Sequence, residues 1–173
     1  GLMGILVVEG DAVDPYAADE VLLLRDWRVD TEAGTFSSFL TKRGASRAGS
    51  FGNIRSVNGA RQPNIRLPAG RDCRLRLING DPTRILDVVL EGAEAAIIAI
   101  DGIAVAPFPF DGWLLGPAMR IDLAVRAPGA GQGARLVDRR GPEPLVLASL
   151  EGTGEAPAAT PFDPRPLRAG RIP

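Results

Sequence analysis

Short runs of apolar residues follow one another along this chain, and nearly all of them are bounded by Gly, Pro, Asn or Asp. Each run is about five to nine residues long, which is the usual length of a β-strand and too short for a typical helix. No segment keeps a 3.6-residue apolar period over more than a few turns, so no long helix is predicted. The predicted strands are Met3–Glu9, Val21–Trp27, Asn53–Asn58, Arg71–Asn79, Ile85–Leu90, Ala95–Asp101, Arg120–Arg126, Ala134–Asp138 and Leu145–Leu150.

Two of these runs alternate apolar and polar side chains with the period of two that a half-buried strand shows. The expected inward set is Cys73, Leu75, Leu77, Ile121, Leu123 and Val125, and the outward set is Asp72, Arg74, Arg76, Arg120, Asp122 and Arg126. Asn-Gly and Asp-Gly turns separate several of the runs. Many short strands with turns at this spacing predict an antiparallel β-sandwich or barrel.

Two stretches break the strand pattern. Residues 30–51 form a long insertion rich in Gly, Ser and Thr, and loops of this length are usually functional or mobile. We take this insertion as the best candidate for a substrate-side or partner-side surface. The stretch from Gly152 to Pro173 is rich in proline and poor in large apolar residues, which predicts an extended linker or an arm that wraps around the domain.

Composition narrows the class of protein. Apolar residues make up 45% of the chain, which is enough for a real core, and the 173 residues suit one compact domain with extra residues at its ends. The formal net charge is −1 with no basic cluster, so we expect no nucleic-acid partner. No run approaches the roughly 20 apolar residues of a membrane-spanning helix, so we expect no membrane partner.

The side chains that usually carry chemistry are scarce. The chain contains no histidine, and Cys73 is its one cysteine. Disulfides, multi-cysteine zinc sites and iron–sulfur clusters each need more cysteines than this, and histidine-dependent catalysis is excluded. Because Cys73 lies on the apolar face of a predicted strand, we expect a buried, inert thiol. We therefore predict no catalytic, cofactor-binding or metal-binding residue in this chain.

Two other patterns have an ordinary explanation beside a functional one. Asp87, Glu91, Glu94 and Asp101 could form a carboxylate site, but their spacing matches no calcium loop, so we expect charges on a solvated sheet edge. GAGQG at 129–133 is similar to a phosphate-binding glycine loop, yet it follows a proline and precedes a strand rather than a helix. We predict a flexible hairpin turn there.

Six segments, taken in their order, carry a more specific pattern. They are GLMGILVVEG (1–10), DEVLLLRDW (19–27), SVNG (56–59), CRLRLIN (73–79), IIAIDG (97–102) and LLGPAMRIDLAV (114–125). Together they resemble the multicopper oxidases, the laccase-like enzymes of three cupredoxin domains, whose second domain carries a Gly-Pro-x-x-Arg-x-Asp pattern like that of the last segment. The resemblance covers about residues 1–150 and points to the second domain and the end of the first.

The resemblance implies an all-β fold, a cupredoxin-like Greek-key β-sandwich over residues 10–150. Residues 1–9 would be the last strand of a preceding cupredoxin domain, and residues 151–173 would be a Pro-rich interdomain linker. In this family copper lies in the third domain and between the first and third. We therefore expect no cofactor in this chain and copper in the other domains of the parent enzyme.

The implied function belongs to the parent protein. We expect a fragment of a multicopper oxidase that takes single electrons from phenolic or metal-ion donors and reduces dioxygen to water, in the periplasm or outside the cell. This chain alone would catalyse nothing and would serve as a structural element between flanking cupredoxin domains 1 and 3. Asp26 and Trp27 would fix a strand end, and Arg120 and Asp122 would form surface or interdomain charge pairs.

Two points stay open at the level of sequence. Residues 1–9 would be an aggregation hazard if exposed, so we expect them to pair with an edge of the sandwich or with a second chain as a homo-oligomer. The alternative hypothesis is a stand-alone β-sandwich that serves as a binding or adhesion module without metal. A third hypothesis is a copper-free homologue with a structural role. His-x-His pairs upstream and a His-Cys-His motif downstream would distinguish the oxidase from both.

Overall fold

The computed structural model describes residues 3–7, 15–38, 42 and 49–167 of the chain. Within these ranges the chain forms thirteen β-strands. Among the same residues, no helix has the length and apolar character needed to cross a bilayer. The strands are β1 Asp19–Trp27, β2 Val29–Asp30, β3 Thr35–Phe36, β4 Ile54–Val57, β5 Asn64–Pro68, β6 Asp72–Asn79, β7 Leu86–Glu91, β8 Ala95–Ile100, β9 Ile103–Pro109, β10 Trp113–Leu115, β11 Arg120–Arg126, β12 Gly133–Asp138 and β13 Leu145–Thr153.

Two sheets make up the body of the fold. The first has six strands in the order β4-β1-β6-β11-β8-β9, and the second has five in the order β10-β7-β12-β13-β5. Strands β2 and β3 form a separate small hairpin. The pairs β1–β6 and β5–β13 are parallel and join strands that are distant in sequence, so the chain crosses over between them. The predicted sandwich is therefore confirmed, with two parallel pairs in a mainly antiparallel framework.

The core lies between the two sheets and follows the predicted alternation. The expected inward residues of β6 and β11 are all fully buried. Apolar side chains from β1, β7, β12 and β13 pack in the same core. Burying each of these Leu or Ile side chains fully stabilises the fold by about 1.5–3 kcal/mol. The largest fully buried side chains are Leu22, Leu24, Leu67, Leu75, Leu77, Ile97, Ile98, Leu115, Ile121, Leu123, Leu136 and Leu150.

One residue of the predicted outward set is buried. Asp122 is only 7% exposed although it lies on the outer face of β11. The guanidinium of Arg74, on neighbouring β6, covers it and donates from Nε at 3.1 Å and from Nη2 at 2.5 Å to the same carboxylate oxygen. Arg120 instead pairs with Asp101 at 3.8 Å, where both side chains are nearly half exposed. The two predicted charge partners thus differ in burial.

The strand predictions are wrong for a segment that pairs with no neighbouring strand and for strands that contain proline. Met3–Glu9 is wrong over residues 3–7, which form no strand and pair with none, while residues 8 and 9 lie outside the described residues. Strands β5 and β9 were not predicted, because proline interrupts their apolar runs. Both are edge strands, where a missing N–H is tolerated. The short β10 was also missed, as was the β2–β3 hairpin, which overlaps the start of the predicted 30–51 insertion.

The predicted turns at 58–59 and 101–102 are confirmed, whereas Asn79 and Gly80 do not form an Asn-Gly hairpin turn because Asn79 ends β6 and the next strand belongs to the other sheet. Asn58 and Gly59 have φ of 51° and 83°, and Asp101 and Gly102 have 48° and 84°, the left-handed values that Asn-Gly and Asp-Gly tolerate. Residues 129–133 do form a turn, in which Gln132 N donates to Gly129 O at 2.9 Å. That turn is not a hairpin, because β11 and β12 belong to different sheets and the turn carries the chain from one to the other.

Candidate functional site

Strand register defines two ends of the sandwich. Strands β1 and β6 are parallel neighbours that finish together, and antiparallel β4 begins beside the last residue of β1. We call this the cluster end. At the opposite end, which we call the strap end, β1 and β6 begin and β11 finishes. The polar contacts that join distant segments concentrate at these two ends.

The Asp26 carboxylate ties three segments together at the cluster end. Its Oδ2 accepts from the backbone N–H of Gly52 at 2.7 Å, from Arg84 Nε at 2.8 Å and from Arg55 Nη1 at 3.3 Å. The Asp26 side chain is only 7% exposed, so these contacts form in a poorly solvated place. The expectation that Asp26 fixes the end of β1 is confirmed. We call Asp26, Arg55, Asp81 and Arg84 the Asp26 cluster.

Asp81 shapes the loop that enters the cluster from the other side. Its Oδ1 accepts from the backbone N–H groups of Thr83 and Arg84, both at 2.6 Å, which is the local pattern of an Asx turn. Asn79, fully buried, holds the loop through its amide, which donates to Arg84 O at 2.7 Å and to Leu115 O at 2.9 Å. The loop that delivers Arg84 to Asp26 is therefore fixed by side chains of its own residues.

Burial sets the electrostatics of the cluster. Burial raises the pKa of Asp26 above its ordinary value, and the neighbouring Asp81 carboxyl adds to this against the opposing effects of Arg84 and the Gly52 N–H. Burial also acts to raise the pKa of Asp81, but the neighbouring Asp26 carboxyl and the hydrogen bonds from the backbone N–H groups of Thr83 and Arg84 outweigh it, so the pKa of Asp81 is lowered. The pKa of Arg55 is lowered by burial and by the nearby charge of Arg84.

Aromatic rings surround the Asp26 cluster. The indole N–H of Trp27 donates to Ser56 Oγ at 2.6 Å, and the Arg25 guanidinium lies 4.4 Å from the centre of the same indole. Arg84 lies 4.6 Å from the centre of the Phe51 ring, which is 62% exposed. Such cation–π contacts add about 0.5–1 kcal/mol each at exposed sites. Trp27 therefore packs and anchors its strand end, as expected.

A cavity of about 10 Å³ lies within this end of the fold, lined by residues that include Asp26, Arg55 and Asp81. That volume is close to the minimum for one water molecule. Three buried polar atoms around it have no hydrogen-bond partner among the described residues: Asp81 Oδ2, Arg55 Nε and Arg25 Nε. A buried polar atom without a partner costs about 1–3 kcal/mol, so each of these needs an explanation.

The strap end is closed by the chain after β13. We call residues 155–167 the strap. Arg126, at the end of β11, pairs with Asp72 at 2.6 Å and donates to the carbonyl oxygens of Thr160 at 2.7 Å and Pro161 at 3.3 Å. The Tyr16 hydroxyl donates to Arg165 O at 2.5 Å. Residues 155–167 therefore pack on the domain as the predicted arm would, and residues 168–173 lie outside the described residues.

The predicted carboxylate candidates do not meet. Asp87 pairs with Arg139 at 3.2 Å, Glu91 pairs with Arg135 at 2.8 Å, and Asp101 pairs with Arg120. Within the described residues no three His, Cys, Asp or Glu side chains are grouped as a metal ion would need. The solvated interpretation is confirmed for Glu91 and Asp101, whose side chains are 45% exposed, and for Glu94, which is exposed between β7 and β8. Asp87 is only 28% exposed and lies on β7, an inner strand of its sheet. Residues 39–41 and 43–48 of the 30–51 insertion lie outside the described residues.

The described residues do not offer the ligand set of a blue copper centre. Cys73 is fully buried, and burial raises its pKa to about 11, so its thiol is protonated and inert. The sulfur of Met119 already accepts a hydrogen bond from the backbone N–H of Gly116, at 3.1 Å. Copper sites of the blue type use two histidines and a thiolate, and the sequence supplies no histidine. The expected burial of Cys73 is confirmed.

The fold and its crossovers define a cupredoxin-like β-sandwich, and comparison with known proteins narrows this class. The crystal structure of a multi-copper oxidase from Pseudomonas thermotolerans has a TM-score of 0.81 and 41% identity, covering 96% of this chain and 40% of that one. A multi-copper oxidase from Pseudomonas parafulva has a TM-score of 0.81 and 35% identity, with 96% and 40% covered. Copper resistance protein A of Escherichia coli is 34% identical over 100 residues, which are 57% of this chain and 16% of that protein.

A family model settles the relationship. The model described as multicopper oxidase matches residues 18–133, more than half of the chain. The chain therefore belongs to the multicopper oxidase family, and the resemblance inferred from its six segments is confirmed. It spans less than half the length of these solved relatives.

Proposed function

We propose that this chain is the copper-free central unit of a multicopper oxidase, a cupredoxin domain that positions two neighbouring copper-bearing domains. The observation that carries the proposal is the match to multi-copper oxidases over 96% of a chain that contains no histidine. A copper-bearing unit of this family would need several. Residues 1–9 would then close the preceding domain, residues 10–150 would form the central one, and residues 151–173 would lead to the next.

The architecture of the chain supports this role. An apolar segment such as residues 1–9 would need a partner strand, and residues 3–7 pair with no strand among the described residues. A preceding cupredoxin domain would supply it. At the strap end, Arg126 and Tyr16 hold residues 155–167 against the sandwich, so the strap would direct the chain toward the following domain. The role of this unit would be to form interdomain contacts, and catalysis would take place elsewhere in the protein.

The whole protein would then take single electrons from phenolic or metal-ion donors, reduce dioxygen to water, and act in the periplasm or outside the cell. When bound in the neighbouring units, copper would supply the electron transfer and the dioxygen chemistry. The residues of this chain would hold the spacing and orientation of those units. The described residues of this chain contribute packing surfaces, the strap and the Asp26 cluster.

Copper titration of the chain tests the proposal. We expect only weak binding that a mild chelator removes, with no intense blue absorption and no paramagnetic-resonance spectrum of a copper–thiolate centre. Cys73→Ala is the matched control, because it removes the one thiolate that such a centre could use, and its spectra should equal those of the unsubstituted chain. A stoichiometric blue centre that Cys73→Ala abolishes would overturn the proposal.

The reading frame on either side gives an independent test. His-x-His pairs before this segment and a His-Cys-His motif after it are expected for the parent oxidase. Flanking sequence without them would instead favour a stand-alone binding sandwich or a copper-free homologue, the two alternatives that the sequence left open.

A further inference from the structure

We propose that Asn58 is a site of spontaneous covalent modification, in which its side-chain amide becomes a carboxylate and the outer edge of β1 loosens. Asparagine is among the thermolabile residues. Its side chain is attacked by the backbone nitrogen of the next residue, and glycine at that position favours the attack because it has no Cβ in the way. The sequence has two Asn-Gly pairs, 58–59 and 79–80, in opposite surroundings. The inference does not depend on the proposed function.

The reaction needs no reagent other than water. The backbone nitrogen of Gly59 forms a bond to Cγ of Asn58, and the bond from Cγ to the amide nitrogen breaks. The proton of the Gly59 nitrogen ends on the departing amide group, which leaves as ammonia, and a cyclic imide remains. Water then adds to one of the two imide carbonyl carbons and opens the ring, giving aspartate or isoaspartate. No oxidant or reductant takes part.

The turn at 58–59 presents both reacting groups to solvent. Asn58 and Gly59 are exposed, and the turn is closed by backbone hydrogen bonds between Val57 and Ala60 at 2.9 and 3.0 Å. Among the described residues the N–H of Gly59 has no acceptor, and no atom lies within 4 Å of the position that a Cβ on Gly59 would take. The attacking nitrogen is therefore free, and no neighbouring group obstructs the ring.

Two hydrogen bonds hold the Asn58 side chain on β1 in the intact protein. Its Oδ1 accepts from the backbone N–H of Leu23, and its Nδ2 donates to Val21 O, each at 2.8 Å. Both bonds must open before the side chain can turn toward Gly59. Because they lie at the exposed surface, water replaces them and only local opening is needed. The reaction therefore proceeds while the sandwich stays folded.

The second Asn-Gly pair has the same chemistry in a closed environment. Asn79 is fully buried, and its side-chain amide makes hydrogen bonds to two backbone carbonyls and accepts one from a backbone N–H. Gly80 is also buried, and its N–H donates to Leu24 O at 2.8 Å. All of these bonds must break, without water to replace them, before a ring can form. Asn79 is therefore protected for as long as the fold is intact.

Modification of Asn58 changes the edge of β1. Strand β4 pairs with β1 only from Leu24 to Trp27, so the Asn58 amide, rather than a strand, bonds Val21 and Leu23 on this side. A carboxylate can still accept from the Leu23 N–H, but it places an acceptor oxygen against Val21 O, where the amide had a donor. Isoaspartate also lengthens the backbone of a two-residue turn. In both products this part of the β1 edge opens.

Incubation of the full chain at mildly alkaline pH in heavy-oxygen water, followed by digestion and mass spectrometry, tests the site. We expect labelled aspartate and isoaspartate to accumulate at Asn58 at least about tenfold faster than at Asn79, which must give up two more hydrogen bonds. In urea, the unfolded chain should react alike at both pairs. Asn53 is the control for glycine, because it is exposed and makes the same two bonds, with Val29 at 2.9 Å, but precedes Ile54.

We therefore expect Asn53 to react far more slowly than Asn58. Equal rates at Asn58 and Asn79 in the folded chain would show that burial does not select the site. A rate at Asn58 no higher than at Asn53 would show that the turn does not permit the attack. Either result would overturn the proposal.

Asn58→Asp tests the consequence for β1. We expect the amide exchange of residues 21–23 to rise about three- to tenfold, which is the effect of losing one hydrogen bond. Asn53→Asp makes the same chemical change at the other end of β4 and should leave the exchange of residues 21–23 unchanged. Unchanged exchange in Asn58→Asp, or an equal rise in both variants, would show that the Asn58 amide does not hold this edge.

Discussion

The two ends of the sandwich are held together by the same residue type in different surroundings. At the cluster end, Arg84 and Arg55 reach a carboxylate whose side chain is 7% exposed, and the contacts lie between strands and loops. At the strap end, Arg126 pairs with an Asp72 side chain that is 28% exposed and then reaches backbone carbonyls of the strap. Burial, rather than the number of ion pairs, should therefore decide how much each end contributes to stability.

The largest effect is expected at the buried end. Asp26→Ala removes the acceptor for one backbone N–H and two guanidinium groups and leaves buried charge uncompensated, which costs about 3–5 kcal/mol. Urea unfolding followed by circular dichroism measures the loss. Asp101→Ala, which breaks a half-exposed pair, should cost under about 1 kcal/mol. Equal losses for the two variants would remove the distinction between the ends.

The strap end should respond less and more locally. Arg126→Ala removes the charged donor for Thr160 O and Pro161 O, which costs about 1.5–3 kcal/mol, and releases the strap. Hydrogen exchange should rise in residues 155–167 and stay unchanged in residues 49–57. Arg135→Ala, at a more exposed pair with Glu91, is the control and should leave strap exchange as it is. A rise at both ends would mean that they are coupled through the core.

A smaller change isolates the second strap contact. Tyr16→Phe removes only the hydroxyl that donates to Arg165 O, and we expect a loss of about 0.5–1.5 kcal/mol. Limited proteolysis within the strap should become faster, but less so than in Arg126→Ala. Cleavage as fast as in Arg126→Ala would show that the Tyr16 contact holds the strap on the sandwich at least as strongly as the Arg126 contacts do.

The smallest effect is an expected absence of reaction. Cys73 is fully buried with a pKa raised to about 11, so at pH 8 a neutral alkylating reagent should label it far more slowly than in the unfolded chain. Arg126→Ala should not speed this labelling, because release of the strap leaves the inter-sheet core closed. Mass spectrometry gives the labelled fraction, and fast labelling in Arg126→Ala would show that the strap protects the core.

Sequence reasoning succeeded where a residue's position is set by its own strand. The alternation in β6 and β11 placed Cys73, Leu75 and Leu123 in the core because one buried face dictates register. It failed for Asp122, whose burial depends on Arg74 from a strand 48 residues away. The Asp26 cluster was only half visible, since Asp26 was expected to fix a strand end but its partners at 55, 81 and 84 are brought together by the fold.

The prolines of β9 have a consequence for how this protein behaves at high concentration. The first sheet ends on one side in β4, four residues long, and on the other in β9, which carries Pro107 and Pro109. The β4 edge is short and the β9 edge lacks two backbone N–H groups, so both are poor templates on which an apolar segment of another molecule could extend the sheet. Purified preparations should therefore resist fibrillar self-association at this sheet, even with the apolar residues 3–7 exposed on every molecule.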